Sequence, residues 1–115
     1  MDELSALLVT RALDGLAMRA SAIAQNIANS GSPSYAPLQV SFESELREAA
    51  GAGAGAVRQV EPHYVRMPLD GGSPGVRLDL EMVAASQTAL RYSALVDLLG
   101  RQMQIARLAV SGGRP

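Results

Sequence analysis

The sequence predicts one mainly helical domain, in which long N- and C-terminal helices pair as a coiled-coil-like hairpin around an irregular middle segment. Three observations carry this. Apolar residues recur at alternating three- and four-residue steps in both terminal segments, which is the spacing of a helical seam. Aromatic residues make up only 3 % of the chain, so the core must come from Leu, Ile, Val, Met and Ala, a set suited to helix-on-helix packing. Glycine, proline and serine gather between the two periodic segments. At 115 residues the chain has room for a single domain.

The first helix is expected over residues 4–28. Its seam is Val9, Leu13, Leu16, Ala20, Ile23 and Ile27, and the polar Arg11, Asp14, Arg19 and Gln25 fall off it. Asp2 and Glu3 stand where the helix dipole favours negative charge. Asn29-Ser30-Gly31-Ser32-Pro33 should end it, with Gly31 as a left-handed cap and Pro33 unable to continue the ladder.

The last helix is expected over residues 79–110. Met82, Ala85, Ala89, Tyr92, Val96, Leu99, Met103, Ala106 and Val110 form one unbroken seam, widened by Leu95, Leu98, Ile105 and Leu108. Asp79 and Glu81 at its start, Arg101 and Arg107 in its later turns and Gly112-Gly113 beyond its end all agree with dipole and capping rules. So wide a stripe calls for a second neighbour besides the first helix, which points to assembly.

Residues 29–78 carry weaker signals. A short helix fits 41–50, with Ser41 as N-cap, Glu43 and Glu45 in its first turn, and Phe42 and Leu46 on one side. The alternating glycines and alanines of Gly51 to Ala56 read as a flexible linker. A short strand fits within 57–65. Pro68 and Gly71-Gly72-Ser73-Pro74-Gly75 read as loop.

Several function classes are excluded or disfavoured. The formal charge of -1 offers no broad attraction to nucleic acid or to an anionic membrane. No apolar run is long enough for a membrane span, so direct membrane insertion is not expected. The acidic Met1-Asp2-Glu3 start is unlike the basic start of a cleaved signal peptide. With no cysteine, disulfides and thiolate metal sites are ruled out. His63 is the single histidine and is expected to be an exposed loop residue, not a general base. Glu43, Glu45 and Glu48 are expected to form a solvated face, and Met82 and Met103 to lie in a packed core. No catalytic, cofactor or metal site is expected, and the chain is not expected to be an enzyme.

One segment has no explanation as loop filler: Ala24-Gln25-Asn26-Ile27-Ala28-Asn29-Ser30-Gly31-Ser32-Pro33-Ser34-Tyr35. It resembles the N-terminal signature of the flagellar rod and hook axial proteins, where a helix ends in an Ala-Asn-Ile-Ala-Asn run followed by Thr-Pro-Gly-Tyr. Asn26 and Asn29 can satisfy helix-terminal backbone groups, Pro33 fixes the exit direction, and Tyr35 offers a ring to a neighbouring surface. Ser32 replaces the family's threonine and Ser34 its glycine. If that glycine needs a positive φ, the turn here is strained or different. A second match lies in Val76-Arg77-Leu78-Asp79-Leu80-Glu81-Met82 and Leu90-Arg91-Tyr92-Ser93-Ala94-Leu95-Val96. It is similar to the Val-Asp-Leu-Asp-x-Glu-Met start and Leu-Arg-Tyr-x-Ala-Leu helix of rod members, with Arg77 in place of an acidic residue. Phe42 and Leu46 also fit a Phe-x-x-x-Leu that follows the tyrosine motif.

The resemblance implies a structural subunit of the basal-body rod, in the periplasm, passed through the flagellar type III export apparatus without a cleaved signal peptide. It implies copies of itself and other rod proteins as partners, with the inner-membrane ring and a rod-adaptor protein at the base. Asn26, Ile27, Asn29, Pro33 and Tyr35 would be its assembly motif, and Leu13, Leu16, Ile23, Ile27, Tyr92, Val96, Leu99 and Met103 its helix-packing seam. A different class of function, a soluble helical-hairpin adaptor or chaperone-like protein for one partner, is distinguished by self-association. An axial subunit propagates head to tail, whereas an adaptor stops at a fixed stoichiometry.

Overall fold

The computed structural model describes residues 1–69 and 75–112. Two long helices frame it: α1, Glu3–Ala28, and α4, Leu78–Val110. Between them lie β1 (Leu38–Ser41), α2 (Glu43–Ala52), α3 (Ala54–Arg58) and β2 (His63–Arg66). The molecule is mainly α, with the terminal helices packed together as expected.

Local chemistry sets the ends of the long helices. Asp2 caps α1, its Oδ1 accepting from the Ser5 amide at 2.7 Å; this bond, then the Ser5 hydroxyl and the Met1 ammonium, hold its carboxyl below the ordinary carboxylate range. At the other end the Asn29 amide donates to the Gln25 carbonyl at 2.9 Å. Gly31 does not take a left-handed conformation, and neither does Ser34; among the described residues, positive φ is confined to Gly53, Gly75 and Gly112. Ser34 is therefore free of left-handed backbone strain. Gly112, at φ 67°, follows the end of α4 in the conformation a C-terminal glycine cap requires. Gly113 and most of the expected 71–75 loop lie outside the described residues.

α1 and α4 are antiparallel. The Met1 ammonium donates to Gln102 Oε1 at 3.1 Å, and Asn26 Nδ2 donates to Glu81 Oε2 at 3.2 Å toward the opposite end. The other side of α1 carries the middle segment. There Leu16, Ala22, Leu38, Val40, Phe42, Leu46, Val57 and Val60 form the core, with Leu95 of α4 reaching its edge. α1 is thus the central element, and α4 covers one flank. The radius of gyration is 17.9 Å, against about 13 Å for a compact domain of this length. The molecule is an elongated slab that leaves much of α4 uncovered.

β1 and β2 pair antiparallel, with Leu38 opposite Arg66 and Ser41 opposite His63. The middle segment departs from expectation in three ways. β1 had no signal strong enough to predict it. Ser41 belongs to that strand, and Phe42 takes the cap position of α2. The Gly51 to Ala56 run is helical except at Gly53, whose φ of 109° breaks it into α2 and α3, because alanine at alternate positions sustains helix on both sides. Val57 is a buried residue of α3, and the short strand expected within 57–65 falls at the end of that range, at His63–Arg66. His63 is exposed on that strand, its Nε2 4.0 Å from Glu45.

Candidate assembly surface

The sequence reading placed one seam on α1, and the structure gives the helix two. Val9, Leu16 and Ile23, with the half-buried Leu13 and Ile27, lie on the seam as expected, although Ala20 is exposed. Gly15, Arg19, Ala22 and Asn26 form a second row, again at steps of three and four, and this row faces the middle segment. It meets alternate residues of the extended chain: Phe42 lies against Gly15, the Val40 carbonyl accepts from Arg19 at 3.2 Å, and Leu38 pairs with Asn26. Strand period two against helix steps of three and four makes this match possible.

Asn26 is buried and uses its whole amide. Oδ1 accepts from the Leu38 N–H and Nδ2 donates to the Leu38 C=O, both at 2.8 Å. The expectation that Asn26 caps its own helix is therefore corrected; Asn29 alone does that. Tyr35 is half-buried on its own chain. The Arg66 guanidinium sits 5.1 Å over it, and its hydroxyl is buried without a hydrogen-bond partner among the described residues. Pro33 is exposed in the connecting turn.

A polar junction ties the three layers. Arg19 and Arg91 both reach Glu43 Oε1, the latter at 2.8 Å. Arg91 foremost, then Arg19, holds the Glu43 carboxyl down to about 2. Arg19 also lies 4.8 Å over the Phe42 ring. Sequence reasoning missed this cluster and Gly15. A lone glycine inside an otherwise strong helix was the available signal.

On α4 the expected seam is displaced. The residues withdrawn by α1 are Glu81, Ala84, Ala85, Thr88, Leu95, Leu99 and Gln102. This row is mostly one residue earlier than the expected seam, a rotation of about 100°. Leu99 and Ala85 belong to both. Tyr92, Val96 and Met103 remain 40 %, 44 % and 54 % exposed, and Met82 59 %. The two methionines are surface residues, not core. The cause is the width of the stripe: α4 is apolar over more of its circumference than one helix can cover.

Two unpartnered features follow. An open apolar groove of about 600 Å³ runs between α1 and α4, floored by alanines and bordered by Ile23, Ile27 and Tyr92. Beyond Gln102, which lies opposite Met1 just before α1 begins, α4 continues with every residue from Met103 to Val110 exposed. Neither has acid–base or metal-binding chemistry, and among the described residues no three His, Cys, Asp or Glu side chains are grouped to hold a metal ion. No described helix is long and apolar enough to cross a membrane. No protein-family model matches the sequence, and neither does any curated protein.

Proposed function

We infer that the chain is a structural subunit of the bacterial flagellar basal-body rod, in its proximal part, and assembles through its terminal helices to transmit motor torque. The observation that carries the reading is the uncovered half of α4: Met82, Tyr92, Val96 and Met103 form an exposed apolar row on a helix already covered by α1 elsewhere. A row of this kind needs a partner helix. The resemblance of residues 24–35, 76–82 and 90–96 to the axial-protein signatures supplies the identity of the assembly.

On this reading the signature residues have two tasks. Asn26 and Tyr35 fix how the chain leaves α1 and enters the subunit body, so the body is held at a set angle to the helical pair. Ile27, Tyr92, Val96 and Met103 face neighbouring subunits. Other rod proteins, copies of the chain, the inner-membrane ring and the rod adaptor are the proposed contacts, reached through the type III export apparatus.

The test is to tag the chain in the bacterium that encodes it, purify hook–basal bodies and probe them for the tag, alongside a deletion strain scored for swimming. The chain should be recovered in the rod fraction and the deletion should be non-motile. A fully motile deletion strain, with the tagged chain absent from basal bodies, rules the reading out.

A further inference from the structure

The two-stranded sheet has one edge closed and one edge open. The Asn26 amide and the Arg19 guanidinium occupy the outer side of β1. On β2, the Met67 N–H donates to the Pro37 carbonyl at 2.8 Å. By antiparallel alternation Val65 and His63 also bond toward β1, and the N–H and C=O groups of Tyr64 and Arg66 point outward. No hydrogen bond among the described residues reaches those outward groups. Every residue of β2 is exposed, Tyr64 by 45 % and Val65 by 39 %. An exposed edge with unpaired backbone groups is a template for another strand.

We propose that this strand is β2 of a second copy, the two pairing antiparallel about a two-fold axis at Val65 to make one continuous sheet. The residues around β2 favour a second copy because they are self-complementary in a single register. With the axis at Val65, Tyr64 lies opposite Arg66 of the second copy, and each such pair exchanges both its N–H···O bonds. Moving the axis to Arg66 sets Arg66 against Arg66 and Tyr64 against Pro68, and moving it to Tyr64 sets Arg66 against Pro62. Proline has no N–H to give, and like charges directly opposite repel. A shift by one residue sets outward groups against inward ones. At the Val65 register no like charges face each other, because Val65 meets Val65 and His63 meets Met67. Tyr64 and the second copy's Arg66 share one face of the sheet, where a guanidinium already lies over the Tyr35 ring. The contact has far fewer than the 20–30 residues a side of a stable interface, so the dimer is weak and forms at raised concentration. It does not rest on the axial reading: it leaves the terminal helices untouched and closes at two copies.

The absence of cysteine allows a direct test on the full chain. In a non-hydrogen-bonded antiparallel pair the Cα atoms lie about 4.5 Å apart, within reach of a disulfide. Val65→Cys should therefore oxidise to a covalent dimer. Gln39→Cys is the control: Gln39 is exposed and lies opposite Val65 in the ladder, but across the dimer its two copies stand three strand spacings, about 14 Å, apart. Val65→Cys should cross-link about tenfold faster or more, since pairing raises the effective concentration of the two thiols. Adding Tyr64→Pro removes an outward N–H without touching the ladder to β1. It should bring the rate down to that of the control, with helical content by circular dichroism unchanged. Should the proline variant lose helix, Val65→Lys decides. It sets two ammonium groups opposite each other at an exposed position, and sedimentation velocity should show a lower dimer fraction at concentrations where the unaltered chain dimerises. Three results overturn the pairing: Val65→Cys cross-linking no faster than Gln39→Cys, a folded Tyr64→Pro variant that keeps the fast rate, or a Val65→Lys chain that dimerises as well as the unaltered one.

Discussion

Asn26 pairs with both backbone groups of Leu38, twelve residues on, through two hydrogen bonds of 2.8 Å. Pro37 and Met67 share a ladder hydrogen bond, so by antiparallel alternation the N–H and C=O of Leu38 point away from β2. The side-chain amide stands where a third strand would, and the Arg19 guanidinium does the same for the next outward carbonyl, that of Val40. In this way α1 closes one edge of a two-stranded sheet with side chains. The helix end, the turn and the strand become one rigid unit.

Asn26→Ala should be costly. It leaves a buried N–H and a buried C=O without partners, at about 1–3 kcal/mol each. Asn26→Asp should lose nearly as much at neutral pH, because a carboxylate cannot donate to the Leu38 carbonyl and would face Glu81. Asn29→Ala, which removes one partly exposed bond, should cost no more than about 1 kcal/mol. Urea unfolding of the three variants measures this, and equal losses at the two asparagines would contradict the edge-closing role.

Gly15→Ala should destabilise although alanine is the better helix former. A methyl group at Gly15 would lie 2.6 Å from the Phe42 ring, and overpacking of this kind costs about 1–3 kcal/mol. That outweighs the gain of up to about 1 kcal/mol in helix propensity. Gly100→Ala is the matched control: it lies within α4 with nothing within 4 Å of the added methyl, and should stabilise. Thermal melts of the pair should therefore move in opposite directions.

Glu43 makes stability depend on pH in a defined window. Its carboxyl is held down from an ordinary 4.5 to about 2 by Arg91 and Arg19. A carboxylate with a depressed folded-state pKa binds protons more readily in the unfolded chain, so its contribution is complete above about 4.5 and is lost as pH falls toward 2. Glu43→Gln should be less stable at neutral pH and should flatten the pH profile across that window. Identical slopes for both proteins between those values would remove the junction from the account.

Both long helices were legible because each carries a seam of many residues, and end signals that agree with it. The pairing face of α4 was not, because periodicity locates an apolar stripe but cannot say which part of a wide one a single neighbour covers. Asn26 was singled out correctly for its chemistry and assigned the wrong partner. Its target, Leu38, lies on a strand of only four residues, too short to show a period. The Gly51 to Ala56 run misled in the other direction: glycine suggested a linker, but only Gly53 uses the freedom glycine has. Arg19, Glu43 and Arg91 are far apart in sequence, and nothing local marks residues that meet only after three elements have packed.

The two sides of α4 can be separated by placing the same charge on each. Val96 is 44 % exposed and belongs to the uncovered row; Leu99, three residues on, is partly withdrawn against α1. In the isolated chain, Val96→Asp leaves its carboxylate in water and should change stability by no more than about 0.5 kcal/mol. Leu99→Asp puts a charge at the α1–α4 contact and also removes buried apolar area, so it should destabilise the monomer by about 1.5–3 kcal/mol. In an assembly the difference should vanish, because a neighbour that covers the exposed row desolvates Asp at position 96 as well. Both variants should then block incorporation into basal bodies and abolish swimming, while export of the chain continues. Circular dichroism melts of the purified variants, set beside motility and secretion assays, separate the two effects. A motile Val96→Asp strain with normal basal bodies would show that the exposed row faces solvent in the working molecule, and the assembly surface would have to be sought elsewhere.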